Sequence, residues 1–130
     1  MAAHGIELIL SRQLAESLSI AIFIVDPKGN LLFYNEPAEE ILGKKFEDTG
    51  EMPVESWSTI FKPLDDDGNI FPAEKMPLVK TLSNQLPAHG AFWIEGLDKV
   101  KRNLNVTSYP IISRSKEFLG AVALFWTPQL

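Results

Sequence analysis

Apolar residues recur at intervals of three and four near the start of the chain. Over residues 4–18 this spacing places them along one side of a helix, and most of the charged residues fall elsewhere. The apolar positions are Ile6, Ile9, Leu10, Leu14 and Leu18. The pattern predicts an amphipathic N-terminal helix, whose apolar side is buried either on its own domain or against a second copy of the chain.

The pattern then changes to one that is typical of strands. Residues 20–25 form an unbroken apolar run rich in β-branched side chains. The run ends at residues 26–30, Asp-Pro-Lys-Gly-Asn, where proline and glycine favour a tight turn. Leu31–Tyr34 is apolar again. Together these segments predict a β-hairpin.

Short helices are predicted after the hairpin. The Asn35 side chain can accept hydrogen bonds from free backbone N–H groups, so it is expected to cap the first of them. Pro77 suits the first turn of the last one, where its missing N–H costs nothing. Residues 44–71 are otherwise irregular. The predicted helices span Glu36–Leu42, residues 54–61 and Pro77–Asn84.

The last third of the chain predicts strands. Within Lys101–Ile112, apolar and polar residues alternate over the central positions, as in a half-buried strand. The predicted strands are residues 91–95, Lys101–Ile112 and Phe118–Trp126. Five strands and several short helices indicate an α+β class, with a five-stranded antiparallel sheet covered by helices.

Composition limits the possible functions. The chain has 130 residues, the usual size of one domain, and no cysteine, so disulfides, thiolate metal sites and cysteinyl-flavin photochemistry are excluded. Acidic side chains outnumber basic ones 17 to 12, which argues against a nucleic-acid partner. No apolar run is long enough to insert into a membrane, and the N-terminus does not match a signal peptide. A cytoplasmic location is expected.

The charge is concentrated in the middle of the chain. Residues 36–75 carry eleven acidic and four basic side chains, whereas residues 76–130 carry three acidic and six basic ones. We interpret the acidic segment as a solvated face; the alternative is an electrostatic surface for a partner.

Candidate catalytic and metal-binding motifs are weak. Asp65, Asp67 and Glu74 fit a calcium-loop template, but Pro63 occupies its first position, so an exposed turn is the better interpretation. His89 stands in a predicted loop and His4 near the terminus, and neither has a partner at the spacing of a hydrolytic site. No glycine-rich phosphate loop is present. The sequence predicts no enzyme and no metal site.

Three stretches in order resemble the PAS domain. The first is the hairpin with its following helix, residues 14–43. The second is the acidic turn with Met76-Pro77-Leu78, residues 64–82. The third is the last two strands, residues 104–125. The resemblance covers about residues 12–127 and implies a PAS domain at residues 19–127, with strand order 2-1-5-4-3, preceded by a helical extension at residues 1–18.

The resemblance also implies a function. PAS domains of this kind are sensory input modules of bacterial signalling proteins. We therefore expect a module that senses a small ligand or a partner and relays the event by protein contact to an effector, such as a kinase, a cyclase or a transcription regulator. The main alternative is a ligand-free dimerisation or scaffold module. A haem or flavin sensor is less favoured, because His89 lacks a distal donor and cysteine is absent.

Site residues follow from the expected PAS cavity between sheet and helices. The side chains predicted to line it are Phe23, Val25, Trp57, Phe61, Val79, Leu82, Leu104, Val106, Ser108, Val122 and Leu124. The alternative is that these side chains simply fill the core. A homodimer is expected through the N-terminal helix. Its interface candidates are Ile6, Ile9, Leu10 and Leu14.

Overall fold

The predicted helices and strands occur in the predicted order, and the structure adds a short helix and a short strand within residues 44–71. The computed structural model describes residues 6–127, without the side chains of residues 6, 8, 9 and 58–60. The helices are α1 (Ile6–Ser17), α2 (Glu36–Leu42), α3 (Phe46–Thr49), α4 (Val54–Ile60) and α5 (Pro77–Asn84), with a 3-10 turn at Ala73–Lys75. The strands are β1 (Ala21–Val25), β2 (Leu31–Tyr34), β3 (Lys62–Leu64), β4 (Ala88–Glu95), β5 (Lys101–Ile112) and β6 (Phe118–Trp126).

The strands form one antiparallel sheet in the order β2-β1-β6-β5-β4-β3. The predicted α+β fold and the order of the five long strands are confirmed. The sixth strand, β3, was not predicted, because three residues that include Pro63 show no periodicity. It pairs with the end of β4, from Glu95 to Trp93, at the sheet edge. Proline is tolerated there because an edge strand needs no second row of hydrogen bonds.

Strand β4 begins three residues earlier than predicted. His89 pairs with Thr107 of β5, and Gly90 pairs with Val106. The prediction of a loop around His89 rested on its neighbours Pro87 and Gly90, and it is wrong for His89 itself. The long strand β5 supplies the pairing that overrides these local turn signals.

Two apolar layers cover the two faces of the sheet. We call the face towards α2–α5 the inner face and the face towards α1 the outer face. Phe23 and Val25 of β1 belong to the inner core cluster, whereas Ile22 and Ile24 belong to the outer one. This alternation is the two-residue period of a strand. On the outer face, Ala15 of α1 is fully buried, so α1 packs on its own sheet.

The buried Asn35 amide joins α1, β1 and α2. Its Nδ2 donates to the carbonyl oxygens of Ala15 (2.9 Å) and Ile20 (2.8 Å). Its Oδ1 accepts from the Ile22 N–H at 3.0 Å and from the Ala38 N–H at 3.3 Å. The predicted helix cap is therefore confirmed. The sequence did not show that the same side chain also fixes the end of α1 against the sheet.

The turn between β4 and β5 closes the other end of α2. The Leu97 N–H donates to the Leu42 carbonyl at 2.8 Å, and Arg102 donates to the Ile41 carbonyl at 3.0 Å. Cations and donors are favourable at this end of a helix, where carbonyls are unpaired. The Arg102 guanidinium also donates to Asp98, which holds the pKa of that carboxyl below its usual value.

Candidate ligand cavity and outer docking face

A small cavity lies between the inner face of the sheet and the helices. Its volume is about 60 Å³. This is room for a few water-sized groups, whereas a drug-sized ligand fills several hundred Å³. Every lining side chain is apolar: Phe23, Leu42, Trp57, Phe61, Pro63, Met76, Pro77, Leu78, Phe92, Ile94, Leu104, Val106, Ala123 and Phe125. The site therefore suits a small uncharged molecule.

The structure brings together part of the predicted cavity set. Five predicted residues line the cavity: Phe23, Trp57, Phe61, Leu104 and Val106. Val25 and Leu82 belong to the same core cluster beside it, and Val79 of α5 is half-buried. Whether these residues contact a ligand stays a prediction.

The predicted positions of Val122 and Leu124 are corrected by the register of the last two strands. Both pack in the outer cluster, away from the cavity. Ala123 is paired with Ser108 and Phe125 with Val106, so these two take the inner positions on β6. The sequence could not separate the two alternatives, because residues 121–126 are apolar at both odd and even positions.

Ser108 was predicted to be the polar residue of the cavity wall, but its hydroxyl is hydrogen-bonded to Thr81. Its Oγ lies 2.6 Å from Thr81 Oγ1, and both side chains are fully buried. Thr81 gives its proton to the Leu86 carbonyl at 2.8 Å. Ser108 must then donate to Thr81, because a hydroxyl carries one proton. The pair joins α5 to β5 rather than offering a free group to a ligand.

Aromatic rings fill much of the space around the cavity. Phe23 lies at the centre, with its ring centroid 5.0 Å from that of Trp57 in an edge-to-face arrangement. It is stacked on Tyr34 at 6.1 Å and meets the Phe61 ring edge-on at 6.5 Å. Such pairs stabilise beyond the area they bury. The size of the cavity therefore depends on the positions of these rings.

The two tyrosines, Tyr34 and Tyr109, are expected to ionise at a higher pH in the folded protein than in the unfolded chain. Burial of Tyr34 and partial burial of Tyr109 raise the pKa of both phenols above 10.0. The unfolded chain then loses these protons first, so the free energy of unfolding should stay level up to about pH 10 and fall above it. Absorbance titration of Tyr34→Phe and Tyr109→Phe assigns each phenol, because the chain has only 2 tyrosines. A phenol that titrates below pH 10 in the folded protein would contradict this.

The outer side of the domain carries exposed apolar residues. Leu10 and Leu14 of α1 are 55% and 56% exposed. Tyr109 and Trp126 are also exposed, and they pair with Val122 and Asn105 at outer-face positions of β5 and β6. The side chains of two other predicted interface residues, Ile6 and Ile9, lie outside the described part of the structure. We call the four exposed residues Leu10, Leu14, Tyr109 and Trp126 the outer docking face.

The acidic middle segment borders an open groove between α1 and the α2–α3 region. Its lining includes six carboxylates between Glu16 and Asp48, the lysines Lys44 and Lys45, and the rings of Phe33 and Phe46. Arg12 of α1 places its guanidinium 4.5 Å from the centre of the Phe33 ring. This cation–π contact adds a second attachment of α1 to the body of the domain.

Other polar groups singled out in the sequence are used within the fold. Asp65 Oδ1 accepts from the N–H groups of Asp67 and Asn69, and Asp66 accepts from Trp93 Nε1. The acidic turn is therefore built by its own carboxylates. Among residues 6–127, no group of three or more His, Asp or Glu side chains could hold a metal ion. Nor is any described helix both long and apolar enough to cross a membrane.

Comparison with known proteins places this geometry in a family. Residues 10–76 match the family model of the PAS domain. No curated protein sequence matches the chain significantly.

Several solved structures share the fold. The PAS domain of a protein from Colwellia psychrerythraea is 17% identical, with 93% of this chain and 96% of that chain covered and a TM-score of 0.64. The PAS domain of Bordetella pertussis BvgS is 14% identical, with 97% and 89% covered and a TM-score of 0.69. A Rhodobacter sphaeroides LOV protein is 9% identical, with 96% and 69% covered and a TM-score of 0.72. At these identities the likeness shows the fold alone.

Proposed function

The chain belongs to the PAS domain family of sensory modules in signalling proteins, and we propose that it senses a small apolar molecule or a partner protein and relays the event by protein contact. The observation that carries this proposal is the apolar cavity between the sheet and the short helices. PAS domains are in general not catalytic, and no enzymatic role is proposed.

The sheet connects the cavity to the outer docking face. In β1, Phe23 lines the cavity while its neighbours Ile22 and Ile24 pack in the outer cluster with Ala15 of α1. A ligand that shifts Phe23 would therefore also shift β1, the strand on which α1 packs. The relay requires two arrangements of α1 of similar free energy, with the ligand favouring one of them.

A homodimer through the outer docking face is part of the proposal. Exposed leucines on a helix are a common means of self-association, because burying them removes apolar surface from water. The output partner is proposed to be an effector protein such as a kinase, a cyclase or a transcription regulator, which responds to the arrangement of the two copies.

We expect the double variant Leu10→Asp/Leu14→Asp to weaken dimerisation at least about 100-fold, because two charges would be buried in an apolar interface. Sedimentation of the wild type and the variant over a range of concentrations measures this. Leu86→Asp is the matched control, since Leu86 is 59% exposed in the connection between α5 and β4, outside the docking face. A double variant that sediments as a dimer would reject the interface.

A ligand-free dimerisation or scaffold module is the second candidate. The observation in its favour is the small cavity volume, about 60 Å³, beside the aromatic rings. Native mass spectrometry of protein purified without denaturation separates the two functions: a bound small mass supports sensing, and its repeated absence supports the scaffold. A haem or flavin sensor would instead be coloured. We expect a colourless protein, because the cavity is far smaller than either group.

A further inference from the structure

We infer that the Trp57 indole occupies part of the ligand site, and that the ligand is a flat aromatic molecule with one N–H or O–H donor. On binding, this molecule takes the place of the indole. The inference rests on the proposed sensory function and specifies the ligand class of the same site.

Trp57 is bound as a ligand of this kind would be. Its Nε1 donates to the Gly29 carbonyl at 2.8 Å within the protein interior. Its ring lies edge-to-face against the Phe23 ring, with 5.0 Å between the ring centroids and 68° between the ring planes. The side chain is 8% exposed and lines the cavity. The free volume of the cavity is therefore what remains beside the indole.

Helix α4, which carries Trp57, is attached to the β1–β2 turn. The Val54 N–H at the start of α4 donates to Asn30 Oδ1 at 3.0 Å. The hydrogen bond of Trp57 reaches Gly29, the neighbouring residue of the same turn. Pro53 precedes the helix and provides no side-chain cap. Movement of α4 away from this turn would withdraw the indole and enlarge the cavity by the volume of its ring.

The Gly29 carbonyl determines which chemical group a ligand needs in order to replace the Trp57 indole. Once Trp57 leaves, this buried oxygen would have no hydrogen-bond partner, which is unfavourable. A ligand with a donor satisfies it, and an aromatic hydrocarbon of the same shape does not. The remaining walls are apolar, among them Phe23, Phe61 and Leu104, so a charged ligand would be desolvated without compensation.

The test uses indole, because it is the ring of Trp57 itself, and indene, which has nearly the same shape but no N–H. Binding to the wild type and to Trp57→Ala is measured by calorimetry. Amide hydrogen exchange of residues 54–61 is followed with and without indole. Trp93→Ala is the matched control, because Trp93 does not line the cavity and its Nε1 donates to Asp66.

We expect Trp57→Ala to bind indole at least about 10-fold more tightly than the wild type, since it has no side chain to displace. Indene should bind to this variant at least about 5-fold more weakly than indole. Trp93→Ala should match the wild type. In the wild type, indole should accelerate exchange at residues 54–61 and leave β5 and β6 unchanged. Trp57→Phe, which lacks the Nε1 donor, should bind indole at least about 3-fold more tightly than the wild type. It replaces Trp57→Ala in the test if that variant does not fold.

The inference is overturned if the wild type and the Trp57 variants bind indole with equal affinity. It is also overturned if Trp57→Ala binds indene and indole with equal affinity. A third contradicting result is unchanged amide exchange at residues 54–61 when indole is added to the wild type. The proposed sensory function fails by other measurements. If purified protein repeatedly carries no bound small mass, the scaffold function replaces small-molecule sensing even where Trp57→Ala binds indole.

Discussion

Asn35→Ala is expected to lower the free energy of unfolding by about 3–5 kcal/mol. The variant loses the side chain that satisfies the Ile20 carbonyl, the Ile22 N–H and the start of α2. A buried polar group left without a partner costs about 1–3 kcal/mol, and a lost helix cap about 1 kcal/mol. Chemical denaturation followed by circular dichroism measures the loss. The midpoint of thermal unfolding should fall by roughly 10–20 °C.

Asn84→Ala is the matched control for Asn35→Ala. The Asn84 side chain is exposed and accepts one hydrogen bond, from the Leu86 N–H at 2.9 Å. Its removal should cost less than about 1 kcal/mol. Hydrogen exchange adds a functional readout, because α1 should lose protection in Asn35→Ala through its lost bond to Ala15. If Asn35→Ala lowers the free energy of unfolding by less than about 1 kcal/mol, water replaces the hydrogen bonds of the lost amide.

Gly120→Ala is expected to cost about 4 kcal/mol or more, or to prevent folding. Gly120 lies in β6 with φ of 145°, a conformation that side-chain-bearing residues rarely adopt. A Cβ atom there would overlap the backbone carbonyl oxygen of Val25. Val25 is paired with Ala121, so the neighbouring strands β1 and β6 would have to move apart. Thermal unfolding and the yield of folded protein measure the effect.

Gly68→Ala is the matched control for Gly120→Ala, because it introduces backbone strain without a steric overlap. Gly68 also has a positive φ, 84°, but no atom lies within 4 Å of the position of its Cβ. Its substitution should therefore cost only about 1 kcal/mol, from the conformation alone. If the two alanine variants are equally stable, the contact with Val25 does not constrain the sheet.

Local signals in the sequence were sufficient for most of the elements. The bounds of α2, α5, β2, β5 and β6 coincide with the prediction. Asn35 and Pro77 mark helix starts through their own side chains, and the alternation in β5 shows a strand with one face in the core. The short edge strand β3 carries no such signal, because its three residues are held only by pairing with β4.

The cavity was predictable only in part. Residues of the inner face, such as Phe23, Leu104 and Val106, follow from the alternation along strands that end in polar turns. In β6 the choice between Val122 and Ala123 depended on pairing with β5, and the composition of the strand carries no information about it. The engagement of Ser108 by Thr81, 27 residues away, is likewise invisible in the sequence.

The sequence by itself determined the class of fold, the family resemblance, the apolar character of the interior and the amphipathic α1, because these depend on side-chain type and on spacing over a few residues. The tertiary structure alone decided which face of β6 meets the cavity and how Asn35 fixes α1. It also decided that the Trp57 indole, predicted at the cavity, is held there by a bond to Gly29, 28 residues away. These features depend on register and on contacts between segments distant in the chain, which local periodicity does not encode.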